Sequence, residues 1–337
     1  MIDAAGIETH VLPRTCYRAT DGIGPRWRLV LVAINKTGQD LALRAVRITQ
    51  AAGGARRQRT VAGDALKPMF VQGGAAVPRG KGVVLDIQEP AGQGITPRSV
   101  CVEPVFLTPR GAQVPCRRCV RLFPRRTWFL RFPLEGPWLA ANARADLHCL
   151  GSQFGFDFVR AEDMAYHDHP PARRMALGEF ASFAQVVRSP AAGVVLVAES
   201  DFPDLPPTPT KATFADGPPQ GAPRTVMCGN HVVIRLDSGE CVFLGHLQRG
   251  SVRVAAGRRV KEGQILGKVG NSGNTSGPHL HIEVLDAPPD LDSVLSLQFA
   301  QSGVPFGFSP LRLHGRRARK KSPGRIVPSK GDIVSPR

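Results

Sequence analysis

Two histidines separated by one residue are the strongest candidates for chemistry in this chain. His279, Leu280 and His281 lie in the stretch SGPHLHIEV. Side chains of a β-strand point alternately to its two faces, so the two imidazoles are predicted to share one face while Leu280 points toward a core. Two imidazoles side by side suit a metal ion such as zinc. Taken alone, the pair is equally compatible with two surface histidines.

A second pair and a lone histidine compete for the same role. His167 and His169 also flank a single residue, but two prolines follow them directly. Prolines disfavour a regular paired strand, so we interpret this pair as part of a polar loop. His231 lies in the strand-like run NHVVIRL, and we interpret it as a surface or rim residue.

Further motifs surround the first pair in a fixed order. Residues 229–284 begin with GNHVVI, continue with a strand that ends in GH, and pass through VKEGQILG to GNSGNTSGPHLHIEV. This series resembles the core of the lysostaphin-like, LytM-type zinc endopeptidases, which cut peptidoglycan cross-links. The resemblance extends more thinly back to about residue 134. It implies a β-rich metallopeptidase domain.

The resemblance also implies a zinc site. In that family a histidine and an aspartate near the start of the domain bind zinc together with the second histidine of H-x-H. The corresponding residues here are His148, Asp157 and His281. Asp157 lies nine positions after His148, which is longer than the H-x-x-x-D spacing of many members. Cys149 is an inferior alternative ligand.

Two catalytic histidines complete the implied site. A His, Asp, His set leaves one zinc position for a water, as in catalytic zinc sites. Zinc lowers the pKa of such a water toward ~7. Attack on a peptide carbonyl also needs groups that move a proton and stabilise the oxyanion. The resemblance assigns these roles to His279 and His246.

Short strands are predicted to position these residues. In residues 1–135, apolar runs of strand length such as WRLVLVAIN (27–35) and SVCVEPVFL (99–107) alternate with Gly-, Pro- and Arg-rich loops. This pattern favours an antiparallel β-sandwich. We therefore expect a mainly β protein, with a β-sandwich-like N-terminal domain followed by the β-rich metallopeptidase domain.

Residues 136–300 are predicted to form the metallopeptidase domain, and most of the histidines concentrate there. In FGFDFVR (154–160), phenylalanines alternate with Asp157, so the aspartate is predicted to face away from the apolar side. A Pro-rich insertion, residues 201–224, is predicted to be a surface loop. Residues 301–337 are predicted to be a C-terminal extension.

The chain is strongly basic, with 44 Lys and Arg against 27 Asp and Glu and a net charge of +17. Residues 315–337 are rich in Lys, Arg, Pro and Gly. We predict that they form a disordered tail that acts only through its charge. Such charge favours an anionic partner, which could be nucleic acid, a membrane surface or a cell wall. No apolar run approaches the ~18–20 residues that cross a bilayer, which excludes a helical membrane protein.

The seven cysteines are odd in number and scattered, which does not indicate a disulfide framework. Cys116 and Cys119 form one C-x-x-C, and no second pair follows. We predict a local disulfide or plain thiols there rather than a structural metal. Residues 1–14 hold two acidic residues and no apolar core, so we expect no secretory signal peptide within them.

These features predict an extracytoplasmic zinc metalloendopeptidase that hydrolyses stem peptides or cross-bridges of peptidoglycan. One alternative is a catalytically inactive protein of the same fold that binds the cell wall or activates a hydrolase. Such a protein would lack some of the site residues. A second alternative is a basic nucleic-acid-binding protein, which the charge alone suggests. No nucleic-acid-binding motif is recognisable, and aromatic residues do not interleave with the basic clusters.

Overall fold

The chain divides into two compact units, Met1–Arg126 and Thr127–Arg337. The computed structural model describes residues 6–12, 16–19, 27–89, 97–125, 127–142, 154–165, 173, 175–208, 225–288, 303–304, 306–314 and 324–337. Within these residues, no helix is long and apolar enough to cross a membrane.

The first unit is built from short strands and one 3-10 helix, Gly63–Met69. Its strands are β1 (Ile7–Leu12), β2 (Cys16–Ala19), β3 (Trp27–Asn35), β4 (Leu41–Ala52), β5 (Ala55–Ala62), β6 (Phe70–Gln72), β7 (Ala76–Val77), β8 (Gly82–Glu89), β9 (Ser99–Leu107), β10 (Gln113–Val114) and β11 (Arg118–Arg125).

Hydrogen bonds link these strands into one continuous series. The order is β5-β4-β9-β11-β2-β3-β8-β6, with β1 on β3, β7 on β4 and β10 on β9. Strand β11 pairs antiparallel with β9 and parallel with β2. It therefore joins two halves of the series, one with β4, β5 and β9 and the other with β2, β3, β6 and β8. Ile48 and Val102 from one half share a core with Leu31 and Leu85 from the other. The mainly β, sandwich-like fold predicted for the N-terminal part is therefore confirmed.

The cysteines of this unit pair differently from the prediction. Cys101 on β9 and Cys119 on β11 lie opposite each other and form a disulfide. Cys116 is buried in the core and is not part of a disulfide. Side chains three residues apart in an extended chain point to opposite faces, so Cys119 meets the neighbouring strand rather than Cys116. The predicted local disulfide of the C-x-x-C is therefore wrong, whereas the alternative of a thiol holds for Cys116 but not for Cys119.

Two buried thiols are expected to resist alkylation in the native protein. Burial raises the pKa of Cys16 to about 12 and is the main reason that the pKa of Cys241 rises to about 11. At pH 8, about 10⁻³ or less of either thiol is then the reactive thiolate. Iodoacetamide should therefore label the half-buried Cys228 faster than both, as measured by peptide mass spectrometry. Equal labelling rates of these three thiols in the native protein would contradict this expectation, and denatured protein serves as the control.

The second unit contains thirteen named strands, the helix α1 (Thr225–Cys228) and the 3-10 helices Ala161–Asp163 and Leu177–Glu179 among its described residues. The strands are β12 (Trp128–Leu130), β13 (Trp138–Asn142), β14 (Phe156–Val159), β15 (Val186–Arg188), β16 (Gly193–Ala198), β17 (Asn230–Arg235), β18 (Cys241–Leu247), β19 (Arg259–Val260), β20 (Ile265–Lys268), β21 (Leu280–Leu285), β22 (Phe306–Phe308), β23 (Leu311–His314) and β24 (Ile333–Pro336).

A nine-stranded antiparallel sheet organises this unit. Its order is β19-β16-β17-β18-β21-β14-β13-β24-β23. One face packs on the main core through alternating residues such as Phe156, Phe158, Leu280 and Ile282. The residues between them, including Asp157 and the second histidine of H-x-H, therefore lie on the opposite face. Two small sheets, β12-β22 and β15-β20, complete the unit.

The boundary lies earlier than the sequence pattern suggests. Residues 127–135, which the pattern assigns to the N-terminal domain, lie in the second unit. Strand β12 pairs with β22, and Phe132 packs edge-on against Phe308 at a ring-centroid distance of 5.2 Å. These aromatic contacts bind the segment to the second core.

The predicted C-terminal extension with a disordered tail is wrong for residues 306–314 and 324–337. Phe306 and Phe308 are fully buried in the core of the second unit. Strand β24 pairs with both β13 and β23, and Val334 is fully buried. The basic residues are densest in residues 316–321, which lie outside the described residues, whereas the apolar residues after them supply a strand.

Candidate active site

An aspartate and a histidine on neighbouring strands form the centre of the site. Asp157 on β14 lies opposite His281 on β21, and both are buried. The Nδ1 atom of His281 lies 2.8 Å from Oδ1 of Asp157, as a hydrogen bond. Asn142, at the end of β13, donates from Nδ2 to the other carboxylate oxygen at 2.9 Å. The expectation that Asp157 faces away from the phenylalanine side is confirmed.

His279 reaches the same carboxylate from the loop before β21. Its Nε2 atom lies 3.6 Å from Oδ1 of Asp157. On the other side of the ring, Nδ1 lies 2.9 Å from the carbonyl oxygen of Gly277 and 3.1 Å from Oγ1 of Thr275. Donation of the Nδ1 proton to the Gly277 carbonyl leaves Nε2 as a proton acceptor facing the site.

His246 enters the site from β18. The residue before it, Gly245, pairs with His281 across the sheet. The His246 ring centroid lies 4.7 Å from that of His279 and 5.9 Å from that of His281. Its backbone is left-handed, with φ of 59°, a conformation that costs a non-glycine residue about 1–3 kcal/mol. The Nδ1–H group donates to the carbonyl of Ser272 at 2.8 Å, which holds the ring in place.

Burial and charge shift the pKa values of His246 and His281 in opposite directions. Burial lowers the pKa of His246 well below its ordinary value, and the neighbouring His279 and His281 add to the effect. Burial also acts to lower the pKa of His281, but the hydrogen bond and charge of Asp157 outweigh it and the pKa is raised. His246 is therefore a neutral imidazole near pH 7, with Nε2 as its available acceptor.

Buried polar side chains hold the loop that carries Ser272. Asn230 at the start of β17 donates from Nδ2 to the carbonyls of Phe202 and Leu247, at 2.8 and 3.0 Å. Its backbone N–H donates to Oγ of Ser272 at 2.9 Å, and that hydroxyl donates to the Leu247 carbonyl at 2.7 Å. The asparagine of GNHVVI therefore fixes the end of β18 and the loop beside it.

Two glycines allow this loop to approach β17. Gly229 and Gly273 both have positive φ, of 62° and 82°. A Cβ on Gly229 would lie 2.4 Å from the carbonyl of Ser272, and one on Gly273 would lie 2.5 Å from the nitrogen of Gly229. Since real Cβ atoms do not come this close to backbone, a side chain at either position would displace the carbonyl that holds His246.

His231 is buried, so its interpretation as a surface or rim residue is wrong. It is 0% exposed, and its ring stacks on Phe243 with the centroids 5.3 Å apart. Its Nδ1–H donates to the Gly229 carbonyl at 2.7 Å, and burial lowers its pKa. The site face of the sheet is covered at this position rather than open to solvent.

The structure brings together four of the five predicted site residues: Asp157, His246, His279 and His281. The fifth, His148, lies outside the described residues, as do its alternative Cys149 and the competing pair His167 and His169. Three residues of the site were not predicted from the sequence: Asn142, Ser272 and Thr275. The two hydroxyl residues stand within the quoted GNSGNTSGPH motif, whereas nothing in the sequence around Asn142 signals its role.

The donor atoms that are present fit a zinc ion. No group of three or more His, Cys, Asp or Glu in the described part of the chain is arranged as a complete metal site. However, Asp157 Oδ1 and His281 Nδ1 face each other at 2.8 Å. Two ligand atoms in a tetrahedral zinc site lie about 3.4 Å apart, so a small opening of this pair would admit the ion. The bond from Asn142 orients the carboxylate, as outer hydrogen bonds do at zinc sites.

Part of the sequence matches a known family. Residues 179–292 match peptidase family M23. The chain carries an M23 peptidase domain. Two curated relatives come from Vibrio cholerae serotype O1, the peptidoglycan DD-endopeptidases ShyC and ShyA. They are 46% and 39% identical over 57 residues, which cover 17% of this chain and 13% of each relative. The similarity therefore spans only a small part of the length of these relatives.

Two solved structures are also similar to this chain, at low identity. The catalytic domain of the prophage-encoded M23 protein EnpA from Enterococcus faecalis is 20% identical, with a TM-score of 0.30, over 50% of this chain and 93% of that one. A zinc-containing peptidase from Vibrio cholerae is 17% identical, with a TM-score of 0.27, over 80% of this chain and 57% of that one. The family match consequently rests on the sequence of residues 179–292.

Proposed function

We propose that this chain is a zinc-dependent endopeptidase that hydrolyses peptide bonds in the stem peptides or cross-bridges of peptidoglycan. The observation that carries the proposal is the convergence of Asp157, His281, His279 and His246 on one face of the M23 sheet. An inactive relative has no need to keep all four groups in contact. The two similar Vibrio proteins, which are named peptidoglycan DD-endopeptidases, support the substrate class.

In this proposal His148, Asp157 and His281 hold the zinc ion. When bound, zinc would supply a Lewis acid and would activate a water near neutral pH. His279 has its Nε2 atom 3.6 Å from Asp157, so it can take or return a proton beside the ligands. His246 is held at Nδ1 and is buried next to His279, so its Nε2 atom can take up the same proton and, once protonated, can donate to the oxyanion.

We further propose that the protein acts outside the cytoplasm. The disulfide between Cys101 and Cys119 supports this location because disulfides persist mainly in oxidising compartments. The net charge of +17 supports retention on an anionic cell wall, since clustered positive charge attracts polyanions.

Hydrolysis of purified peptidoglycan tests the proposal directly. The zinc-loaded full chain should release soluble muropeptides, and mass spectrometry should find a new amine and a new carboxylate at one peptide bond. His246→Ala and His279→Ala should each keep one zinc per chain yet lose about 10²–10³-fold in rate, the scale of removing a proton shuttle or an oxyanion donor.

His10→Ala is the matched control, because His10 is an exposed histidine of the first unit. It should behave as wild type. Wild-type turnover in either active-site variant would remove that histidine from the mechanism. Absence of any cleavage by zinc-loaded wild type would favour the inactive, wall-binding alternative.

A further inference from the structure

The first residues of the Pro-rich insertion form hydrogen bonds with the loop that precedes the H-x-H pair. Leu205 and Asn271 exchange two hydrogen bonds, from the Leu205 N–H to the Asn271 carbonyl at 2.9 Å and from Asn271 Nδ2 to the Leu205 carbonyl at 2.7 Å. Thr208 donates its N–H to the carbonyl of Ser276 at 2.8 Å. Residues 204–208 therefore lie along the loop that precedes the H-x-H pair. Residues 209–224 lie outside the described residues.

A carboxylate anchors this contact. Oδ1 of Asp204 accepts the backbone N–H of Asn271 at 2.7 Å, and Oδ2 accepts the backbone N–H of Arg249 at 3.0 Å. Arg249 lies just after β18, the strand that carries His246. One side chain therefore ties the insertion to both chain segments that deliver the candidate catalytic histidines.

Two series of contacts connect Asp204 to His279 and His246. Asn271 accepts a hydrogen bond from Oγ1 of Thr275 at 3.0 Å, and that hydroxyl lies 3.1 Å from Nδ1 of His279. Ser272, the next residue, has an isolated β-bridge to Asp204. Its carbonyl accepts the Nδ1–H of His246 at 2.8 Å.

We infer that Asp204 is a positioning residue, which orients His246 and His279 together by fixing residues 271–275. This inference rests on the proposed function for its kinetic consequences but not for its structural ones. An amide in place of the carboxylate could accept only one of the two N–H groups and would turn its own N–H₂ toward the other. The loop would then lose one anchor, while the contact between Asp157 and His281 would stay intact.

The test compares Asp204→Asn with Asp201→Asn, an exposed aspartate three residues earlier in the same segment. With a cross-linked muropeptide as substrate, Asp204→Asn should lower kcat about 10-fold or more, because misplacement of catalytic groups slows the reaction without weakening binding. KM should stay within about twofold, and one zinc per chain should remain. Asp204→Ser, which removes the charge without adding an N–H donor, should show the same pattern.

An independent readout follows the imidazoles themselves. In ¹⁵N NMR spectra of the wild type, His246 and His279 should carry their proton at Nδ1, where each donates to a carbonyl. In Asp204→Asn these two signals should shift or broaden, whereas that of His314, which bonds to Ser335 on β24, should not.

The outcomes separate the inference from the proposed function. Unchanged kcat together with unchanged imidazole signals would overturn the positioning role, and so would a loss of zinc or a rise in KM that matched the fall in kcat. If the wild type cleaves no muropeptide, the proposed function fails. The imidazole signals alone then decide the role of Asp204.

Discussion

Replacing Asp157 with alanine is expected to release zinc and abolish hydrolysis. The carboxylate is the one anionic ligand of the proposed set, and its two oxygens face His281 and Asn142. Loss of even an outer partner of a zinc ligand costs 10–100-fold in affinity, so loss of a ligand itself should cost at least about 10²-fold. Zinc per chain after dialysis, measured by elemental analysis, should fall from one to near zero. His281→Ala should give the same result.

The alanine variant also removes the acceptor that Asp157 provides to the buried His281 and to the half-buried Asn142. Each unsatisfied group costs about 1–3 kcal/mol, so the thermal midpoint should fall as well. Asp157→Asn, which keeps the volume of the side chain, should retain more stability yet still bind zinc poorly. Asp237→Ala, at an exposed aspartate paired with Arg259, is the matched control and should keep a full equivalent of zinc. A full equivalent at wild-type affinity in Asp157→Ala would show that the ligand assignment is wrong.

Ending the chain at residue 323 is expected to damage the second unit severely. The truncation removes β24 from between β13 and β23, together with the buried side chains of Ile326, Val327 and Val334. At about 1.5–3 kcal/mol for each of these three side chains, the loss is at least about 5 kcal/mol, a large fraction of the stability of a typical domain. The thermal midpoint should fall by about 10–20 °C, as measured by circular dichroism.

The same truncation should reduce peptide hydrolysis even where the protein stays folded. Residues 331–332 exchange two backbone hydrogen bonds with Ala140, both of 2.9 Å, in the strand that ends at Asn142. Without them, the strand that supports the Asp157 carboxylate becomes a sheet edge. The control replaces Lys320 and Lys321 with glutamine, which removes charge but leaves the apolar residues of β24. Normal hydrolysis by the truncated chain, with weaker retention on cell walls in both variants, would show that the segment acts only through charge.

Local apolar patterns predicted many strands well. The runs at 27–35 and 99–107 have the same bounds as β3 and β9, because both strands are interior and mostly buried. Strand β5, with the sequence ARRQRTVA, gave no such pattern. It lies at the edge of the sheet and is exposed at most positions, so its arginines can face solvent. Strand β24 was not predicted because it is short and follows a basic stretch.

Some residues of the site could likewise be predicted from the sequence, and others could not. His279, His281 and the hydroxyl residues beside them stand in one continuous motif, so the sequence revealed them together. Asn142 and Asp204 act through contacts with residues 15 and 67 positions away. A single sequence carries no local pattern for such pairs. The burial of His231 was misjudged because its cover, the ring of Phe243, comes from a neighbouring strand.

Gly229 and Gly273 belong to two sequence motifs that meet in a single backbone contact. In the sequence, GN at 229–230 and GNSG at 270–273 look like independent signatures. In the fold they are the two sides of one backbone contact, in which neither side leaves room for a Cβ. Neither position can take a side chain without displacing the backbone of the other motif, so both are expected to remain glycine during evolution. A similarity score that treats them as separate matches counts one geometric constraint twice.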